Sequence, residues 1–104
     1  MIARHWRGWT SREDAEAYER LLKSRLLPNL AKVEGHRGSM ILRRQVGEEV
    51  EFVVVNLFDS LEAVQRFAGA DYGVAVFEPE AERLLSRIEP FADHFEVRED
   101  SRHE

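Results

Sequence analysis

With 104 residues, 43% of them hydrophobic, the chain has enough apolar material for one core and too little for two domains. A formal net charge of -5 argues against DNA, RNA or an anionic membrane as the main partner, since these select basic surfaces. The absence of cysteine excludes disulfides, thiolate nucleophiles and Cys-bound zinc or iron–sulfur clusters. The start of the chain lacks the basic segment and apolar stretch of a signal peptide, and no apolar run approaches membrane-spanning length, so a cytoplasmic location is expected.

The opening stretch IARHWRGW, Ile2 to Trp9, reads as a strand and holds both tryptophans. Alternation puts Ile2, Arg4, Trp6 and Gly8 on one side and Ala3, His5, Arg7 and Trp9 on the other, so each side carries an indole that needs a cover. Thr10-Ser11-Arg12-Glu13 fits a capping box, and Ala15, Tyr18, Leu21, Leu22 and Leu26 form the apolar stripe of the helix it opens. Pro28 breaks or kinks that helix, and a short second piece runs through Val33 to Gly35. Ser39 to Val46 and Glu51 to Phe58 read as a hairpin turning at Gly47-Glu48-Glu49. Asp59-Ser60-Leu61-Glu62 opens a helix that runs to about Ala68 and closes at Gly69. Pro79 suits the first turn of another helix, to about Arg87, and Phe91 to Arg98 makes a last strand. Residues 1–98 are expected to form one domain and 99–104 a charged tail.

The order β-α-β-β-α-β predicts an α+β fold, the ferredoxin-like split βαβ arrangement with a four-stranded antiparallel sheet and helices on one face. Phe52-Val53-Val54-Val55 is apolar on both faces, the pattern of a strand covered from both sides. Leaving Phe52, Val54 and Phe58 in water would forfeit about 1.5 to 3 kcal/mol each. The expectation is that helices meet Val53, Val55 and Leu57 while a homodimer partner, packed sheet to sheet, covers Phe52, Val54 and Phe58.

IARHWRGWTS, LLPNLAKVEGHRG, EFVVVNLFDSLEAVQRFAGADYGVAV and HFEV, in this order and spacing, resemble the antibiotic-biosynthesis-monooxygenase-like family over almost the whole chain. The resemblance implies a dimeric α+β barrel. Some members oxidise polycyclic phenols with O2 and neither metal nor flavin, some break down haem, and many have no established activity. The haem-degrading branch relies on an Asn in the first strand, a Trp in the second helix and a His in the next helical segment. Here the first strand has no Asn, Leu61 to Arg87 contains neither Trp nor His, and Phe67 lies roughly where the Trp would be, which speaks against haem degradation. The expected activity is a cofactor-independent monooxygenase acting on a small phenolic or quinone-like compound. A non-catalytic homodimer that binds a small molecule, or serves as an interaction module, is the alternative.

His94 and Glu96 share a face opposite Phe91, Phe95 and Val97. If that apolar set meets the helices, His94 looks into the cavity, where a neutral imidazole would take a proton from a phenol while Glu96 holds its tautomer; the alternative is a histidine bonded to a neighbouring strand. Asn56 is a single amide among apolar groups, suited to donate to a developing oxyanion or, alternatively, to backbone. Arg43 shares the cavity parity, for an acidic ligand or a salt bridge. On strand one, composition leaves open which indole faces the cavity, and Arg4 with Trp6 is the preferred pair. Phe52, Phe58 and Phe67 supply an aromatic lining, and Tyr72 lies in a loop at its mouth. No metal site is expected, since His5, His36 and His103 show no ligand spacing.

Overall fold

The computed structural model describes residues 1–102; His103 and Glu104, the end of the expected tail, lie outside them. Strand β1 (Ile2–Ser11) leads into helix α1 (Ala15–Leu21), a π-helical turn (Leu22–Leu26) and helix α2 (Leu27–Ala31). The hairpin β2 (His36–Val46) and β3 (Glu49–Phe58) follows, then helices α3 (Leu61–Ala68) and α4 (Pro79–Leu84) and strands β4 (Leu85–Ile88) and β5 (Asp93–Glu96). The antiparallel sheet runs β2-β3-β1, and β4 and β5 both pair with the free edge of β1, at Gly8–Thr10 and Ile2–His5 respectively. This is the expected ferredoxin-like α+β fold, with a fifth strand because the last edge is built in two pieces.

Local chemistry explains where expectation and structure part. The capping box at Thr10 does not form: the Thr10 hydroxyl donates to the Ser11 carbonyl, and the helix begins later, with the Asp14 N–H donating to Ser11 Oγ at 3.2 Å. Helix α4 stops at Leu84 rather than Arg87, because the chain turns extended at Leu85 to add an edge strand, anchored by Ser86 Oγ donating to the Trp9 carbonyl at 3.1 Å. By contrast Ser60 caps α3 as expected, accepting from the Ala63 N–H at 3.2 Å.

The largest correction concerns the faces of the sheet. Phe52, Val54, Asn56 and Phe58 point to the chain's own helices, where they lie with Arg4, Trp6 and Thr10, all buried. Val53, Val55 and Leu57 look out from the open face, together with Met40 and Leu42 opposite Val55 and Val53. Phe91 and Phe95 are 59% and 56% exposed and meet no helix. With β3 apolar on both sides, side-chain size decides: the helices take the face whose two phenylalanines they can bury completely.

Candidate functional site

In the register of β1 against β3, Arg4 stands opposite Asn56 and Trp6 opposite Val54. Gly8 lets the Trp6 indole lie back along the strand, since a Cβ there would stand 2.6 Å from Trp6 Cη2, and the indole N–H donates to the Glu89 carbonyl at 2.6 Å. Above this floor the π-helical turn widens the helix. The Leu27 N–H reaches back five residues to the Leu22 carbonyl, and Pro28, which has no N–H to donate, follows it. Leu22 and Leu26 thereby overhang the sheet beside Tyr18 and Leu21, while Phe67 and the Val76–Glu78 segment close the sides.

These residues enclose a pocket of about 530 Å³ with its mouth included, of which about 40 Å³ is open to the centres of water molecules. That interior holds a few waters at most. Val76, 42% exposed, is among the lining residues.

Polar groups are few in this lining. Arg4, only 3% exposed, donates from Nη1 to the Tyr72 carbonyl and to His94 Nε2 (3.0 Å), and from Nη2 to the Val74 carbonyl (3.1 Å). Its guanidinium carbon also lies 5.7 Å from the centre of the Phe67 ring. Burial lowers its pKa from the ordinary arginine value. Asn56 Oδ1 accepts from Ser39 Oγ and from His36 Nε2 (3.2 Å), which leaves its amide N–H groups unused. The Tyr18 hydroxyl has no hydrogen-bond partner among the described residues, and burial raises its pKa, so it stays a neutral donor. Glu78 borders the pocket, and its carboxylate pairs with no described residue. No fully enclosed side-chain polar atom among the described residues lacks a partner, and Arg4, Asn56 and Tyr18 all line the pocket.

Of the residues singled out in the sequence, Arg4, Trp6, Asn56 and Phe67 line this pocket. His94 stands behind Arg4, edge-on to Tyr72 at 5.1 Å, with its Nε2 lone pair already engaged; burial and then the charge of Arg4 lower its pKa, opposed by Asp93. Glu96 does not orient it: its carboxylate is 75% exposed and 3.7 Å from Arg98. Arg43 is tied to Glu16 and Glu19 on α1, and Phe52 and Phe58 are fully buried core rather than lining. Tyr72 serves through its carbonyl. Sequence reasoning missed Tyr18, which sat inside an apolar helical stripe, and Glu78, which has no pattern around it.

No protein-family model matches the chain, and no curated protein is detectably similar in sequence. Solved structures do share the fold. A Nitrosomonas europaea protein of unknown function superposes with a TM-score of 0.72 at 20% identity, covering 99% of this chain and 94% of that one. Rv0793 of Mycobacterium tuberculosis gives 0.65 at 18% identity over 97% of this chain and 98% of that one. A candidate antibiotic biosynthesis monooxygenase from Bacillus cereus gives 0.65 at 15% identity over 98% and 97%. At such identities the likeness shows the fold alone.

Proposed function

We propose that the protein is a cofactor-independent monooxygenase that oxidises a small phenolic or quinone-like compound in the pocket between helices and sheet. The observation that carries this reading is the unpartnered donors, on Arg4, Asn56 and Tyr18, in an otherwise apolar enclosure. An electron-rich substrate must become an anion to pass an electron to O2. Glu78 takes the proton, and Tyr18 donates to the oxygen on which the charge settles. The anion and O2 then combine to a peroxide on a substrate carbon that still bears hydrogen, Glu78 returns its proton to make the hydroperoxide, and loss of water leaves a carbonyl, so one oxygen atom enters the product and the other leaves as water. His94 acts through Arg4 as a positioning residue.

The same reading makes the protein a cytoplasmic homodimer, joined through the open face of the sheet. Met40, Leu42 and Phe95 are 44%, 48% and 56% exposed there, beside the half-buried Val53, Val55 and Leu57. No helix among the described residues is long and apolar enough to cross a membrane.

Oxygen uptake on a panel of anthrones and hydroquinones tests the activity. Stoichiometric uptake, with one labelled oxygen atom of ¹⁸O2 in the product, is expected, and a fall of about a hundredfold in Glu78→Gln follows from loss of a general base. Binding of these compounds without uptake would replace the enzyme by a binding module.

A further inference from the structure

Arg4 is a buried cation without a counter-ion. None of the ion pairs among the described residues includes it, although every other arginine of β1, β2 and β4 has a carboxylate within 4.0 Å. What surrounds it is neutral: two backbone carbonyls, the Phe67 ring and the lone pair of His94 Nε2. Because arginine stays protonated, the hydrogen bond to Nε2 fixes His94 as the neutral Nδ1–H tautomer, so these groups solvate the charge without cancelling it. A buried charge left in this state is costly, and an anion brought beside it removes the cost.

The geometry of the free donors says which anion. Arg4 has five N–H groups and uses three, so two remain, the Nε–H among them. Directly across the β1–β3 ladder, the Asn56 amide adds two more. The acceptors beside them, the Tyr72 and Val74 carbonyls and Asn56 Oδ1, already take hydrogen bonds. Such a set suits a group with two acceptor oxygens and no hydrogen to give, which a carboxylate is and a phenol, neutral near pH 7, is not. The next rung of the sheet, two residues along and about 7 Å away, is Trp6 opposite Val54, apolar and overhung by Leu22 and Leu26.

We infer that the pocket selects aromatic carboxylates, with the acid group of the ligand held by the Arg4 and Asn56 donors and its ring lying along Trp6 and Val54. This deepens the reading above and rests on the pocket being the ligand site. It adds that the oxidised compound carries an acid group apart from its reacting carbon.

Calorimetric titration with naphthalene-2-carboxylate and with the neutral, equally shaped naphthalene-2-carboxamide at pH 7.5 tests the inference without any turnover. The carboxylate is expected to bind at least about tenfold more tightly than the amide, as a charge-assisted bidentate pair does. Arg4→Met brings the ratio of the two affinities to near one. Asn56→Asp sets a carboxylate against Arg4 and removes the acid preference on its own, which keeps the inference open to refutation where Arg4→Met does not fold. Equal affinity of the two ligands for the wild type overturns it, as does failure of both to bind or an acid preference that survives in either folded variant. The monooxygenase reading fails separately, when oxygen uptake is absent although the acid preference holds.

Discussion

Trp6 and Trp9 stand three residues apart on one strand, are equally buried at 9% exposure, and are buried by opposite means. Trp6 lies under the helices with Phe77 stacked at 6.4 Å and its N–H bonded to the Glu89 carbonyl. Trp9 lies on the open face beneath two guanidinium groups, Arg87 at 4.1 Å and Arg7 at 5.3 Å from its ring. Those arginines are in turn held by acids: Glu49 bonds Arg87 at 3.0 Å, and the buried Glu51 lies 3.6 Å from Arg7 and 2.5 Å from Arg44. The difference teaches how charge is used on the two faces. On the open face every cation near the indole has a carboxylate, so the lattice is complete and structural. Under the helices Arg4 pairs with no carboxylate among the described residues, and it is there that the anion of a ligand is inferred to bind.

The comparison predicts a steep gradient of stability between the faces. Phe52→Ala, which empties a fully buried site beside Tyr18, is expected to cost about 3 to 5 kcal/mol in urea unfolding. A loss below about 1 kcal/mol would mean that the helices do not pack on this face as described.

Gly8→Ala sharpens the contrast, because its Cβ would collide with the Trp6 ring under the helices. Overpacking of this kind costs about 1 to 3 kcal/mol and should change the emission of Trp6 in a Trp9→Phe background. Unchanged emission there would contradict the placement of the indole over the glycine.

On the open face, Arg87→Ala removes the nearer guanidinium from Trp9 and should cost about 0.5 to 1 kcal/mol, with the emission of Trp9 shifting to the red. Trp9 emission that does not move would show that the arginine does not cover it.

The smallest effect is with pH. His94 is held below the usual imidazole range, first by burial and then by Arg4, so its neutral form adds stability that is whole above the ordinary pKa of about 6.5 and is lost as pH falls through the folded value. The stability difference between wild type and His94→Gln should therefore shrink as the solution is acidified from neutrality. A difference that stays flat or grows would place His94 elsewhere than behind Arg4.

Much of the fold was legible because punctuation and periodicity are local. Ser60 and Gly69 bracket α3 by capping chemistry, and the Tyr18–Leu22 stripe follows from helical spacing. What was not legible depended on competition between distant segments. Leu85 to Ile88 has helix-compatible residues and becomes a strand only because the edge of β1 is vacant beside it. The parity of β3 gave the right grouping of Phe52, Val54, Asn56 and Phe58 but not the side the helices would choose. For the site, Arg4 and Asn56 were visible as polar residues on a shared face, whereas the loss of His94 to Arg4 and the presence of Tyr18 and Glu78 depend on distances that no spacing encodes.

The central claim is that ligand binds on the helix side of the sheet, at the uncancelled charge of Arg4. Nuclear magnetic resonance of the two indole N–H groups, assigned with Trp9→Phe, tests it in one titration with naphthalene-2-carboxylate. The Trp6 resonance is predicted to move in a saturable way while that of Trp9 stays in place. Movement of Trp9 with Trp6 unmoved would put the ligand on the open face and contradict the account.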